Sequence, residues 1–183
     1  MKLDYIVKAI DENKQIKEIL KSNLKISRRL FITLKNKNSI FLNDMLVPAF
    51  KQVKIGDKIT ISFDYEEDNS NIISKQMELD IVYEDEWLLI VNKQAGIPVH
   101  PSISHYEDSL SSGVKYHFDK IGLKKKIRPV NRIDRNTSGL VAFAKNEYIQ
   151  ECLIRQMKTG DFGKEYIAIV EGWFENKLKK RNY

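Results

Sequence analysis

Apolar positions recur at helical spacing only in short stretches of this chain. Ile16, Ile19 and Leu20 share one helix face, and Leu30, Phe31 and Leu34 share another, with Ser27 placed to cap the second helix. Ser39 to Leu46 then reads as strand, turn at Asn43-Asp44 and strand. After Gly56-Asp57, the residues Ile59, Ile61 and Phe63 alternate with polar neighbours. The first third is therefore expected to run helix, helix, small sheet.

From Leu79 the pattern favours strands at Asp80 to Tyr83 and Trp87 to Asn92, followed by a turn-rich stretch from Gln94 to Ser104 with Gly96, Pro98 and Pro101. Ser109 to Phe118 predicts a helix. Leu140 to Ala144 predicts a short apolar strand after the turn signal Asn136-Thr137-Ser138-Gly139, and Glu147 to Lys158 has helical spacing at Ile149, Leu153 and Met157. Tyr166 to Val170 is nearly all apolar and reads as a buried strand. The expected class is α+β: a small helix-helix-hairpin domain over 1–65, an acidic linker over 66–78, and over 79–183 a mixed, mainly antiparallel sheet with flanking helices.

Composition narrows the classes. The 183 residues include 31 Lys+Arg and 25 Asp+Glu, a formal net charge of +6, and 42% are hydrophobic, enough to build a core. No apolar run approaches the roughly 18 to 20 residues that cross a bilayer. Met1 to Ile10 mixes charged and apolar residues without a secretory h-region, so a cytoplasmic protein is expected. Cys152 is the single cysteine, which excludes an intramolecular disulfide and multi-cysteine metal sites.

The charge is unevenly placed. Residues 64–86 carry a net charge of −8, against +5 for residues 1–35 and +6 for residues 120–135. Two basic regions thus flank an acidic strip.

Several chemistries lose their signals. Gly160-Asp-Phe-Gly163-Lys164 lacks the spacing and the Ser or Thr of a phosphate loop. His100, His105 and His117 match no common metal-ligand spacing, so no metal is expected. There is no Gly-x-Ser-x-Gly elbow and no Gly-x-Gly-x-x-Gly fingerprint, and no nucleotide cofactor is expected. What remains is Arg128-Pro-Val-Asn-Arg-Ile-Asp-Arg-Asn-Thr-Ser-Gly139, which places one carboxylate among three arginines just before an apolar strand. If Arg132 to Asp134 is extended, the two side chains share a face and the guanidinium can hold the carboxylate ionised. Such an aspartate suits a nucleophile or base acting on a phosphate-bearing substrate; taken alone, the pattern also fits a surface salt bridge beside a turn.

These residues resemble a known family. Asn131-Arg-Ile-Asp-Arg-Asn-Thr-Ser-Gly-Leu-Val-Ala-Phe-Ala-Lys145 is similar to the H-R-L-D-x-x-T-S-G-L-x-x-x-A-K motif of RNA pseudouridine synthases that act on large-subunit rRNA and tRNA. Tyr83-Glu-Asp-Glu-Trp-Leu-Leu-Ile-Val-Asn-Lys93, with Gly96 and His100-Pro101, resembles the opening motif of that family. Lys164-Glu-Tyr-Ile-Ala-Ile-Val-Glu-Gly172 resembles its K-x-Y-x-A-x-V-x-G strand. More loosely, residues 1–63 resemble the small RNA-binding domain named for ribosomal protein four of the small subunit; Ile40-Phe-Leu-Asn-Asp44 replaces its usual turn.

The resemblance implies an isomerase without cofactor or metal that acts on a uridine flipped out of structured rRNA or tRNA. It assigns Asp134 as the essential carboxylate, by covalent addition or by proton abstraction, with two further substrate-binding residues: Arg132, paired to it and helping to hold the displaced strand, and Asn131, standing where the family usually has His. It makes Tyr166 the aromatic wall against the base, and Lys124, Lys125, Lys126, Arg128 and Arg135 contacts to RNA phosphates. The family continues beyond its third motif with further strands, whereas this sequence stops at Tyr183. An incomplete sheet with an exposed edge is therefore expected, open to self-association. The competing expectation is an RNA-binding relative without catalysis.

Overall fold

The computed structural model describes residues 1–101 and 108–172. The end of the Gln94 to Ser104 turn region, His105, and Lys177 to Tyr183 lie outside the described residues. Two antiparallel sheets, each with its own apolar core, organise the chain in an α+β arrangement.

The first sheet has the order β1-β4-β2-β3, built from β1 (Lys2–Ile6), β2 (Ile40–Leu42), β3 (Met45–Leu46) and β4 (Lys58–Ser62). Both expected helices form. Gln15 and Glu18 make a reciprocal capping box on α1 (Ile16–Ser22), and the Ser27 hydroxyl accepts the Leu30 N–H to cap α2 (Arg28–Asn36). The expected turn is present, with Asn43 and Asp44 both at positive φ of 50° and 65°, the geometry of a two-residue hairpin. Gly56, at φ +83°, turns the chain into β4. Ile16, Ile19, Leu20, Leu30, Leu34, Ile59 and Ile61 are fully buried between helices and sheet, and each contributes roughly 1.5 to 3 kcal/mol of burial. β1 was not expected from the pattern; it pairs along its whole length with β4, Lys2 opposite Ser62 and Ile6 opposite Lys58.

The second sheet has the order β5-β6-β7, from β5 (Ile81–Glu84), β6 (Leu88–Lys93) and β7 (Gly139–Ala144). Leu89 and Val91 of β6 and Val141 and Phe143 of β7 point into a core closed by α3 (Leu110–Lys120), whose N-terminus is capped by Ser109. On the opposite face, Ile149, Leu153 and Met157 of α4 (Glu147–Thr159) pack over Val130, Ala142 and Ala144. Gly160 ends α4 in the left-handed conformation, as a C-terminal stop requires.

The two halves touch. Phe63, at the end of β4, is fully buried; its ring stacks on Tyr148 at 6.0 Å and meets the edge of Trp87 at 6.1 Å. Burial pushes the Tyr148 phenol up to about 12. The Ser27 hydroxyl donates to Glu151 at 2.5 Å, a second tie between the first half and α4. The segment after β4 is itself packed: Glu67 pairs with Arg128, Asn69 is buried and donates to the Lys125 carbonyl at 2.7 Å, and Ile72 joins the second core.

One expected element does not form. Tyr166 to Val170 belongs to no strand, and Ile167 and Ile169 are fully exposed, at 101% and 100%. Apolar composition makes a strand only where another strand offers a ladder, and among the described residues none pairs with this segment.

Candidate functional site

The sequence from Arg128 to Gly139 is laid against the edge of β7. Val130 donates to the Ala142 carbonyl at 2.7 Å, and Ala144 donates to the Arg128 carbonyl at 2.9 Å. Asn131 then extends the ladder with its side chain: its Nδ2 donates to the Leu140 carbonyl and its Oδ1 accepts the Ala142 N–H, both at 2.9 Å. The amide is buried, and its nitrogen and its oxygen each bond the strand backbone, so Asn131 clamps this segment to β7.

Beyond the clamp the chain leaves the sheet and turns, with the Thr137 N–H donating to the Asp134 carbonyl at 3.1 Å. A second loop, 94–98, is locked to this turn. Gly96 N–H donates to the Arg135 carbonyl at 2.8 Å, and Arg135 Nε donates back to the Gly96 carbonyl at 2.9 Å. Beneath both loops lies Lys93, 1% exposed, whose ammonium donates to the carbonyls of Gln94 (2.9 Å), Ile97 (2.8 Å) and Arg135 (3.0 Å). Burial lowers the pKa of this ammonium, and the Asp134 carboxylate partly restores it.

This scaffold opens into a cavity of about 490 Å³ lined by Pro98, Val99, His100, Pro101 and Arg132 to Arg135. Asp134 is exposed there, as are Arg132 and Arg135. His100 is half-buried; desolvation, reinforced by the Arg132 charge, lowers its pKa and favours the neutral ring. The structure therefore brings Arg132, Asp134 and Arg135 together at one opening. It does not pair Arg132 with Asp134: among the described residues, no ion pair within 4.0 Å joins them. Residues 131–134 lie outside the strand, so strand alternation does not align the two side chains, and both heads are solvated.

The expected phosphate contacts separate into two groups. Lys125 is buried; its ammonium donates to the carbonyls of Phe63 and Tyr65 and sits 4.2 Å from the Tyr65 ring centroid. Burial pushes its pKa down, and Tyr65 is pushed up for the same reason. Arg128 is also buried, in a bidentate pair with Glu67 and 3.5 Å from Glu147. Neither cation faces solvent, which corrects their expected contact with phosphate: Arg128 is paired with Glu67 of the acidic strip, and Lys125 is held by backbone carbonyls. Lys124 is exposed and pairs with Glu66 at 2.8 Å across the surface, while Lys126 and Arg135 are exposed. Tyr166 lies outside the cavity, 63% exposed on a segment that belongs to no strand.

Sequence reasoning missed Lys93 and His100 as parts of this site. For Lys93 a signal existed, since it continues the inward register of Leu89 and Val91, where a lone lysine demands buried acceptors. Among the described residues no cluster of three or more His, Cys, Asp or Glu side chains could hold a metal ion, and no helix is long and apolar enough to cross a membrane.

The family described as RNA pseudouridylate synthase matches residues 87–183. The chain is 31% identical over 175 residues to the uncharacterized RNA pseudouridine synthase YhcT of Bacillus subtilis, covering 96% of this chain and 58% of that protein. It is 35% identical over 136 residues to a second such protein of Bacillus subtilis, YlyB, covering 73% of this chain and 45% of that one. It is 36% identical over 158 residues to ribosomal large subunit pseudouridine synthase D of Borreliella burgdorferi, covering 82% and 47%. The chain thus spans about half the length of the curated relatives it matches.

Proposed function

The chain belongs to the RNA pseudouridylate synthase family, and on that premise we propose that it isomerises uridine to pseudouridine in RNA, with Asp134 as the acting carboxylate. The observation that carries this reading is an exposed carboxylate in a cavity of about 490 Å³, flanked by Arg132 and Arg135 on loops pinned by the buried Lys93. The reaction breaks the bond between ribose C1′ and uracil N1, forms a bond from C1′ to C5, releases the C5 proton and leaves N1 to take up a proton. Atoms and electrons balance within the nucleotide, so the chemistry needs positioned groups rather than a redox partner or cofactor.

The target base is stacked inside structured RNA and has to be extruded into the cavity, at a cost of a few kcal/mol. Asp134 then acts at the sugar or at the base, as nucleophile or base. Arg132, Arg135 and Lys126 supply exposed cations for the backbone on either side of the flipped nucleotide. Lys124 joins them by exchanging Glu66 for a phosphate, since an exposed pair is worth only about 0 to 1 kcal/mol. Asn131 and Lys93 hold the loop. Tyr166 walls the base when its segment is brought alongside the cavity.

In the same proposal, residues 1–65 form an RNA-binding module, 66–78 the acidic connection, and 79–183 a catalytic part working on rRNA or tRNA in the cytoplasm. The unpaired segment carrying Tyr166 favours a second reading for these residues by themselves, RNA binding without turnover until that segment finds a partner strand, including one from a second copy. Primer extension after carbodiimide treatment of rRNA and tRNA incubated with the chain separates the two. A new stop that needs Asp134 supports the isomerase; RNA binding with no stop supports the second reading.

A further inference from the structure

A cleft on the first half, separate from the Asp134 cavity, combines three features. Its floor is apolar, made by Leu34 of α2, Ile40 of β2 and Ala49, all buried. Its rim carries Lys17 and Lys35, both exposed, and no carboxylate lines it. Phe50 stands at its edge, 68% exposed.

The exposure of Phe50 does not come from a loose loop. Ile16 N–H donates to the Lys51 carbonyl at 3.0 Å, Lys17 N–H donates to the Ala49 carbonyl at 2.9 Å, and Lys51 N–H donates to the Pro48 carbonyl at 3.0 Å. The backbone on both sides of Phe50 is thus tied to the start of α1 or closed into a turn. An aromatic ring held out by a braced loop loses little conformational freedom when something stacks on it. The cleft holds about 590 Å³, ample for one nucleobase, and Lys17 and Lys35 are in no ion pair among the described residues.

We propose that this cleft is a second RNA subsite, which takes an unpaired nucleobase stacked on Phe50 while Lys17 and Lys35 hold the adjoining phosphates. The inference rests on the RNA-acting reading above and adds to it a contact remote from the reacting uridine. The occupant is a nucleotide rather than an apolar protein segment because the rim is cationic, the stretch of residues 1–35 carries a net +5, and a base offers a π face to the ring with phosphates on the sugar attached to it. A base already stacked in a continuous duplex cannot enter, so the subsite selects loops, bulges and single-stranded ends.

The test uses the full 183-residue chain with a fluorescein-labelled eight-nucleotide single strand and, separately, the same sequence as a blunt duplex, read by anisotropy. Phe50→Ala is expected to weaken single-strand binding roughly ten-fold and leave duplex binding unchanged, while Phe50→Trp keeps the single-strand affinity. Lys17→Gln with Lys35→Gln is expected to reduce the salt slope for the single strand by about 1.4, at 0.7 per phosphate. Phe50→Ala binding the single strand within two-fold of the unmodified chain overturns the subsite and leaves the isomerase reading standing. If the unmodified chain binds neither RNA, the RNA-acting reading falls and the subsite with it. Binding of a glutamate-rich peptide that depends on Phe50, with RNA binding indifferent to that residue, reassigns the cleft to a protein partner and also overturns the proposal.

Discussion

Replacing Lys93 by Met tests whether a buried ammonium holds the two loops that frame Asp134. The ammonium satisfies three carbonyls, but the Arg135 carbonyl also accepts the Gly96 N–H at 2.8 Å and so keeps one partner. The carbonyls of Gln94 and Ile97 accept from no other group among the described residues. Two orphaned carbonyls at about 1 to 1.5 kcal/mol each give a loss of about 2 to 3 kcal/mol. Met fills most of the volume, and the ammonium no longer has to be desolvated, which keeps the figure below the cost of breaking a buried ion pair. Urea denaturation followed by tryptophan fluorescence measures the loss, with Lys93→Arg as a variant that retains the charge and donors. A Lys93→Met protein within about 0.5 kcal/mol of the unmodified chain would refute the reasoning, because the ammonium would then contribute nothing net to the loops.

Three further outcomes follow from the same geometry. Asp11, fully buried, accepts from Tyr5 at 2.5 Å and Lys14 at 2.9 Å, and these bonds lower its pKa from 3.8 to about 2. Its stabilisation, about 2 kcal/mol, is present above the ordinary carboxylate pKa and lost as pH falls toward 2; Asp11→Asn should remove that part of the acid sensitivity, and an unchanged pH profile would sink the assignment. For the buried Arg128–Glu67 pair, Arg128→Met alone is expected to cost about 3 to 5 kcal/mol and the double change Arg128→Met with Glu67→Gln clearly less, because the single change strands a buried carboxylate; additive losses in thermal melts would contradict this. Asn131→Ala should cost about 1 to 3 kcal/mol and speed hydrogen exchange at the Ala142 amide, whose acceptor it removes; unchanged Ala142 protection would show that the clamp is not formed.

Elements whose signals are local were legible in the sequence. Ser27 caps α2, Asn43-Asp44 turns the hairpin, and the alternation at Ile59 and Ile61 marks β4, because capping and turn chemistry act within a few residues. β1 was missed because its partner β4 lies more than fifty residues away, and its own pattern has no fully buried position. Tyr166 to Val170 failed in the opposite sense: its composition is that of a strand, and pairing is not a property of composition. At the site, Asp134 stood out as an acid among arginines, and the cavity holds it with Arg132 and Arg135. Lys125 and Arg128 read as part of an exposed basic cluster because their burying partners, Phe63, Tyr65 and Glu67, are about sixty positions earlier in the chain. Charge runs show sign but not which way a side chain turns.

The central claim, that Asp134 performs uridine isomerisation, is tested most directly by tritium release. Transcripts of rRNA and tRNA carrying tritium at uracil C5 are incubated with the 183-residue chain and with Asp134→Ala, RNA affinity being measured in parallel. The account predicts release by the unmodified chain and none by Asp134→Ala, with affinities that agree within a few-fold, since the carboxylate does chemistry and makes no phosphate contact. Release that persists in Asp134→Ala, or a folded, RNA-binding chain that releases no tritium from either RNA, would contradict it.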